Sequence, residues 1–288
     1  TPGGVVNYVT KRPQDIQTLT LAANQHGQFS VAADVGGFSG QNDQLGYRIN
    51  VANEQLNSYV DHVDGERYLA SLALDWQLDN ASKLEFDIEA QRLEQRSVPG
   101  YQLLDGKVPE HVKWDRLLGY QSWGKPVSTD SLNASIKYNY AINQDWNAAV
   151  TASHSKSVLD DYSNFAWGCY DSICQYTGLG NSFDINGNYD IYDYRNPNDT
   201  FETNQIKLQL DGILESNWAK HSINLDIARI QKKRDRYASL NEKVGTGNIY
   251  HDTVDFSPDP GTVGQSFQAI HSDQWAVTLM DHIEWNSK

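Results

Sequence analysis

Nowhere in the 288 residues does an apolar run approach the roughly 18 that a membrane-spanning helix requires. Proline is scarce at 8, methionine occurs once and cysteine twice. With 16 Tyr, 8 Trp and 8 Phe, the chain is not a disordered segment, because such segments lack aromatic and β-branched residues. Basic residues are outnumbered, 23 Lys+Arg against 37 Asp+Glu, giving a formal charge of −14. Surfaces that bind phosphate backbones cluster Lys and Arg, so nucleic acid is not expected as a partner. Apolar residues make up 39%, a low share for a chain long enough to bury a large core. No signal peptide opens the chain; it begins in mid-motif with Thr1-Pro2-Gly3-Gly4 and reads as a piece of a longer protein.

Catalytic and metal motifs are missing too. The eight histidines have no HExxH or paired spacing, and two cysteines are too few for a structural zinc set. No Gly-x-Ser-x-Gly elbow occurs. Gly178-Leu179-Gly180 and Gly245-Thr246-Gly247 lack the third glycine of a dinucleotide loop and read as turns. The stretch from Asp184 to Arg195 has the opening of a calcium loop. It carries Tyr189 where glycine is needed and Arg195 where a bidentate carboxylate is needed. No enzyme is expected, and no cofactor. Cys169 and Cys174 are close enough to close a small loop, which predicts a disulfide and an oxidising compartment.

What is present is strict alternation. In Lys83-Leu84-Glu85-Phe86-Asp87-Ile88-Glu89-Ala90 every second residue is apolar and the others are charged. Ile206-Lys207-Leu208-Gln209-Leu210-Asp211 and Ile223-Asn224-Leu225-Asp226-Ile227 repeat the pattern, and so do 70–78 and 132–140. A period of two means a strand with one apolar and one polar face. Helical spacing is not sustained anywhere. The fold class is all-β.

About ten strands follow: 17–25, 29–37, 45–58, 67–78, 83–96, 129–142, 146–159, 202–215, 221–235 and 273–286. Several reach 12 residues or more, where about 5–6 is usual in soluble proteins and about 9–11 crosses a bilayer. Alternate connections are short: Phe38 to Gln44, Asp79 to Ser82, Asn143 to Asp145 and Ser216 to Lys220. The intervening ones are mostly long, at about 97–128, 160–201 and 236–272. Short turns at one end and long loops at the other are the mark of an antiparallel transmembrane β-barrel.

Trp76, Tyr140, Trp146, Trp218 and Trp285 gather at the short-turn end, as a girdle at a water–lipid boundary would. Apolar side chains then face lipid. Glu85, Asp87, Glu89 and Asp211 face a wet lumen, where Lys207 and Lys137 are expected to solvate them. Asp281 breaks this scheme, because it shares the phase of Val277, Leu279, Ile283 and Trp285. A bulge or a lipid-shielded position is expected there.

The opening Pro2-Gly3-Gly4-Val5-Val6-Asn7-Tyr8-Val9-Thr10-Lys11-Arg12-Pro13 resembles the end of the plug in TonB-dependent outer-membrane siderophore receptors. Tyr47-Arg48-Ile49-Asn50-Val51-Ala52 and Asp64-Gly65-Glu66-Arg67-Tyr68 resemble barrel segments of the same family. The resemblance implies that residues 1–15 end a plug domain and 16–288 form the first part of a larger barrel. It also implies a bacterial outer-membrane location, uptake of a ferric siderophore, and energisation through the inner-membrane TonB protein. The long loops would be extracellular, which places Cys169 and Cys174 outside the cell. Receptors for haem, cobalamin or oligosaccharide are related alternatives. A secreted soluble β-protein that binds carbohydrate is an alternative of another class.

A ferric siderophore arrives with its iron already saturated. Its receptor supplies shape, aromatic walls and a few polar or cationic contacts, and no metal ligand. The long loops offer Tyr101, Trp114, Tyr120 and Trp123, and then Tyr162, Phe165, Trp167, Tyr170 and Tyr176. Arg92, Arg96 and Arg116 are the candidate cations. The competing expectation for each aromatic is that it packs one loop on another.

Overall fold

The computed structural model describes residues 9–170, 181–257 and 261–285. Ten strands form one antiparallel sheet, in sequence order. They are β1 (Ile16–Ala23), β2 (Phe29–Ser39), β3 (Leu45–Asn57), β4 (Asp64–Gln77) and β5 (Ser82–Gln95), then β6 (Val127–Ala141), β7 (Trp146–Asp161), β9 (Asn188–Glu215), β10 (Ala219–Tyr237) and β12 (Ser266–Trp285). β8 (Asn164–Trp167) and β11 (Leu240–Asn248) lie in the long connections and pair with the outer part of β9. The antiparallel all-β barrel architecture read from the alternation is therefore the architecture found, with ten strands in the main sheet. It is an open one: β1 and β12 each have a single neighbour.

The register gives the two faces opposite chemistry. Leu74, Phe86, Ile136, Ala152 and Ile206 lie side by side across five strands. The next row contains Asp75, Glu85, Lys137, Thr151 and Lys207. Residues 9–13 cross the polar face. The Arg12 guanidinium is held by Asp75 and by Asp87 (2.7 Å), and also donates to the Leu74 carbonyl. Lys11 reaches Asp34 (3.2 Å), which Arg48 also grips while donating to the Arg12 carbonyl. A trough of about 700 Å³ beside residues 9–11 runs from β3 to β9, over Asn50, Ser71, Asp87, Ser135, Ser155 and Gln205. The polar face is thus the concave, lumenal one. Its ion pairs differ in detail from those expected: Lys207 meets Asp226 (3.0 Å), Asp211 accepts from Asn224, and Arg12 serves Asp87.

The apolar face shows where the membrane lies. On β4 the band runs from Trp76 up to Tyr68, on β7 from Trp146 to His154, and on β10 from His221 to Arg229; each pair is eight residues apart. Eight residues at about 3.4 Å cover about 27 Å, and a tilt of about 40° reduces this to about 21 Å. Outer-membrane barrels carry an apolar band of about 25 Å. Both edges also step down the register together. Trp76 shares its row with Val150 and Ile227, so the lower edge has dropped four residues by β7 and six by β10. Tilted strands shift a horizontal boundary in this way.

Girdle residues occupy the lower edge. Trp76, Tyr140, Trp218 and Trp285 are all exposed, and Trp218 packs on Trp285 at 5.2 Å. Trp146 lies flat on β9 at Gly212, where a Cβ would sit 2.3 Å from the ring. Any larger residue there would displace the indole. Of the two accommodations expected at Asp281, a bulge or a lipid-shielded position, the bulge is absent. Asp281 pairs with Ile223 in unbroken register, and the shift in that ladder falls at Arg234/Asp235. The carboxylate is satisfied sideways by His221 Nδ1 (2.8 Å), beside Trp218 at the boundary, where two polar groups are cheaper than in mid-membrane.

Candidate functional site

Above the band, the long connections fold onto one another. β9 extends well past the apolar band, and β8 and β11 flank the extension to make a small three-stranded sheet. Tyr189 and Ile191 on one side of it are fully buried with Leu118, Phe183 and Ile249, a dry core drawn from three loops. A second core of Val60, Val63 and Leu117 joins the β3–β4 turn to the loop before β6. Asp184 fastens the tight turn at Gly187 (φ +84°). Its carboxylate accepts the backbone N–H groups of Asn186 (2.9 Å) and Asn188 (2.7 Å). The segment that opened like a calcium loop is thus a hydrogen-bonded turn.

The other side of the β9 extension lines a cavity of about 720 Å³. Phe165, Trp167, Tyr192 and Tyr194 form aromatic walls, with Val98 and Asp161 at its edge. Phe165 stacks on Tyr192 at 6.0 Å and meets Trp167 edge-on at 6.1 Å. Register connects this cavity to the lumen. Asp161 lies two residues beyond Leu159 in the alternation of Ser155 and Ser157, and across a bulge in the β7–β9 ladder it pairs with Asn196, whose phase Tyr194 and Tyr192 share. The Asp161 carboxylate accepts from the Ser163 backbone N–H at 3.2 Å.

The sequence-predicted residues are dispersed. Trp167 lines the cavity and is 42% exposed. Tyr170 is exposed nearby; its N–H donates to Asp190, and its hydroxyl to Asn181. Tyr101 meets Trp114 and Phe183 edge-on and donates to the Lys113 carbonyl; burial raises its phenol pKa above the ordinary value. Trp114 is exposed. Tyr120 is stacked on His62 at 4.1 Å, with Arg96 over the ring at 5.4 Å. Trp123 donates from Nε1 to the Phe256 carbonyl (2.8 Å), and Arg116 to the Ile249 carbonyl (2.7 Å) and Asp252. Both tie the loop before β6 to the loop before β12. Arg92 lies in the phase of Ile88 and Ala90, on the face away from the lumen, paired with Asp130 and Glu94. Cys169 is buried and disulfide-bonded, whereas Cys174 and Tyr176 lie outside the described residues. Tyr192 and Tyr194 escaped sequence reasoning. Both faces of β9 are covered there, so polar–apolar alternation gives no signal.

The fold as a whole recurs in solved proteins. BauA, the ferric preacinetobactin receptor of Acinetobacter baumannii, superposes with a TM-score of 0.76 over 96% of this chain and 40% of its own, at 21% identity. The closed form of Fiu, the ferric-catecholate import receptor of E. coli K12, does so with 0.77 over 99% and 41%, at 15% identity. The chain resembles TonB-dependent outer-membrane siderophore receptors. In sequence it is 27% identical over 172 residues to the metal-pseudopaline receptor CntO of Pseudomonas aeruginosa, a match covering 57% of this chain and 23% of that protein. No protein-family model matches the chain. It spans about a quarter of the length of its curated relative and about two fifths of the solved ones. The fold and its exposed apolar band are those of a membrane-spanning β-barrel and fit a location in the bacterial outer membrane.

Proposed function

We propose that this chain is the early barrel portion of a receptor that takes up ferric siderophores, energised by the TonB system and without enzymatic activity. The observation that carries the reading is the aromatic-walled cavity in the loop cap. It opens on the lumenal phase of a barrel that is similar in fold to a ferric preacinetobactin receptor and in sequence to a metal-pseudopaline receptor. Chelates of this kind are bulky and coordinatively saturated, so stacking surfaces and shape supply the affinity. Trp167, on the wall, is the first-choice contact; Tyr170 and Trp114, exposed on the same loops, can meet ligand on approach. Tyr101, Tyr120, Trp123 and Arg116 act by holding the loops that shape the mouth. Residues 9–15 form the end of the plug, clamped by Asp34, Asp75 and Asp87.

The test is uptake of radiolabelled iron by iron-starved cells that depend on this receptor, offered a panel of ferric siderophores. Energy-dependent uptake of at least one chelate is expected, abolished by a protonophore and by deletion of TonB. Uptake that survives both treatments, or none with any chelate, would remove the proposal.

A further inference from the structure

The same cavity carries information about the charge of what enters it. Its walls are Val98, Phe165, Trp167, Tyr192 and Tyr194, and among the described residues the one acidic or basic side chain lining it is Asp161. Among the described residues no lysine or arginine lines it. The nearby cations are engaged elsewhere. Arg96 covers the Tyr120 ring and Lys125 the Tyr162 ring, while Arg195 reaches Asp193 (2.6 Å) and Lys243 reaches Asp190 (2.9 Å). An anionic group entering this cavity would lose hydration, meet a negative charge and find no counter-ion, which is costly in an apolar site. A neutral or cationic group would keep its stacking partners and gain Asp161.

We propose that this cavity is a charge-selective subsite. It accepts an uncharged or cationic flat portion of the chelate through Trp167, Tyr192 and Tyr194, and Asp161 excludes anionic chelates such as triscatecholates. The inference rests on the receptor reading above and specifies the ligand class of that same site.

It is tested on the detergent-purified receptor by quenching of tryptophan fluorescence, with two probes of similar size. One is a neutral ferric trishydroxamate and the other a triply anionic ferric triscatecholate. The neutral probe is expected to bind at least tenfold more tightly. Asp161→Lys should cut that ratio at least fivefold by strengthening binding of the anionic probe. Tyr194→Ala should weaken the neutral probe at least fivefold. Heat-modifiable migration on gels reports whether each variant retains its barrel, and Asp161→Asn, which keeps the shape, substitutes for a Lys variant that fails this check. A ratio near one, or a ratio unmoved by the Asp161 variants, would overturn the charge assignment while leaving the receptor reading intact. Absence of binding by both probes, together with absence of uptake of any ferric chelate, would sink the receptor reading itself.

Discussion

On β9 below Thr203, Ile206 and Leu208 are exposed on one face while Lys207 and Gln209 face the lumen. Above Asn196 the same strand buries Tyr189 and Ile191 completely and turns Tyr192 and Tyr194 into a cavity. One strand therefore obeys two solvation rules. In the wall, lipid takes the place of a protein core, and stability comes from the ladder of backbone hydrogen bonds between strands. In the cap, water surrounds the loops, so they hold a shape only by burying a core of their own. A substitution that is harmless in one region is damaging in the other.

Phe183→Ala is expected to have the largest effect, about 3–5 kcal/mol, because a fully buried aromatic leaves a cavity in a small core. The loss should be confined to the cap. Limited proteolysis should cut the loops quickly, with heat-modifiable migration of the barrel unchanged. Collapse of the barrel along with the cap would show that the two regions are not separable. Next comes Leu208→Lys in mid-band, expected to cost about 2–4 kcal/mol, against nearly nothing for Gln209→Lys on the lumenal face. Urea titration in lipid vesicles measures both, and equal costs would contradict the assignment of faces.

Smaller effects sharpen the boundary. Replacing His221 and Asp281 together by leucine should be neutral or stabilising by about 1 kcal/mol, since a hydrogen-bonded polar pair at the lipid edge gives way to packing. Asp281→Leu alone should leave His221 without its partner and cost stability in the same titration. The smallest effect concerns pH. The Ser122 N–H donates to Asp255 (2.8 Å) and holds its carboxyl below the usual carboxylate range. A depressed pKa contributes stability that is complete above the unfolded value, about 3.9, and is lost as pH falls through the folded value. Proteolysis of the loop around Ser122 should therefore quicken below about pH 4, and Asp255→Asn should remove that dependence.

Strand number, face and membrane end were legible in the sequence because each depends on local alternation against a fixed solvent. Glu85 beside Phe86, or Lys207 beside Leu208, states its orientation without reference to any distant residue. The loop cap was not legible. Leu118, Phe183, Tyr189 and Ile249 come from segments far apart in the chain and show no period. The aromatics expected to touch ligand were divided by that same packing: Trp123 and Arg116 became ties between loops, and Arg92 fell on the outer phase. Asp281 shows the intermediate case. Its phase was readable, while its partner on the neighbouring strand was not.

The sequence alone determined that the chain forms strands with one apolar and one polar face, and their length and the alternation of short and long connections pointed to lipid on the apolar side. Tertiary structure alone decided where a ligand could sit. A cavity walled by Val98, Trp167 and Tyr194 exists only when connections dozens of residues apart are brought together, and no local pattern records which of their faces will meet.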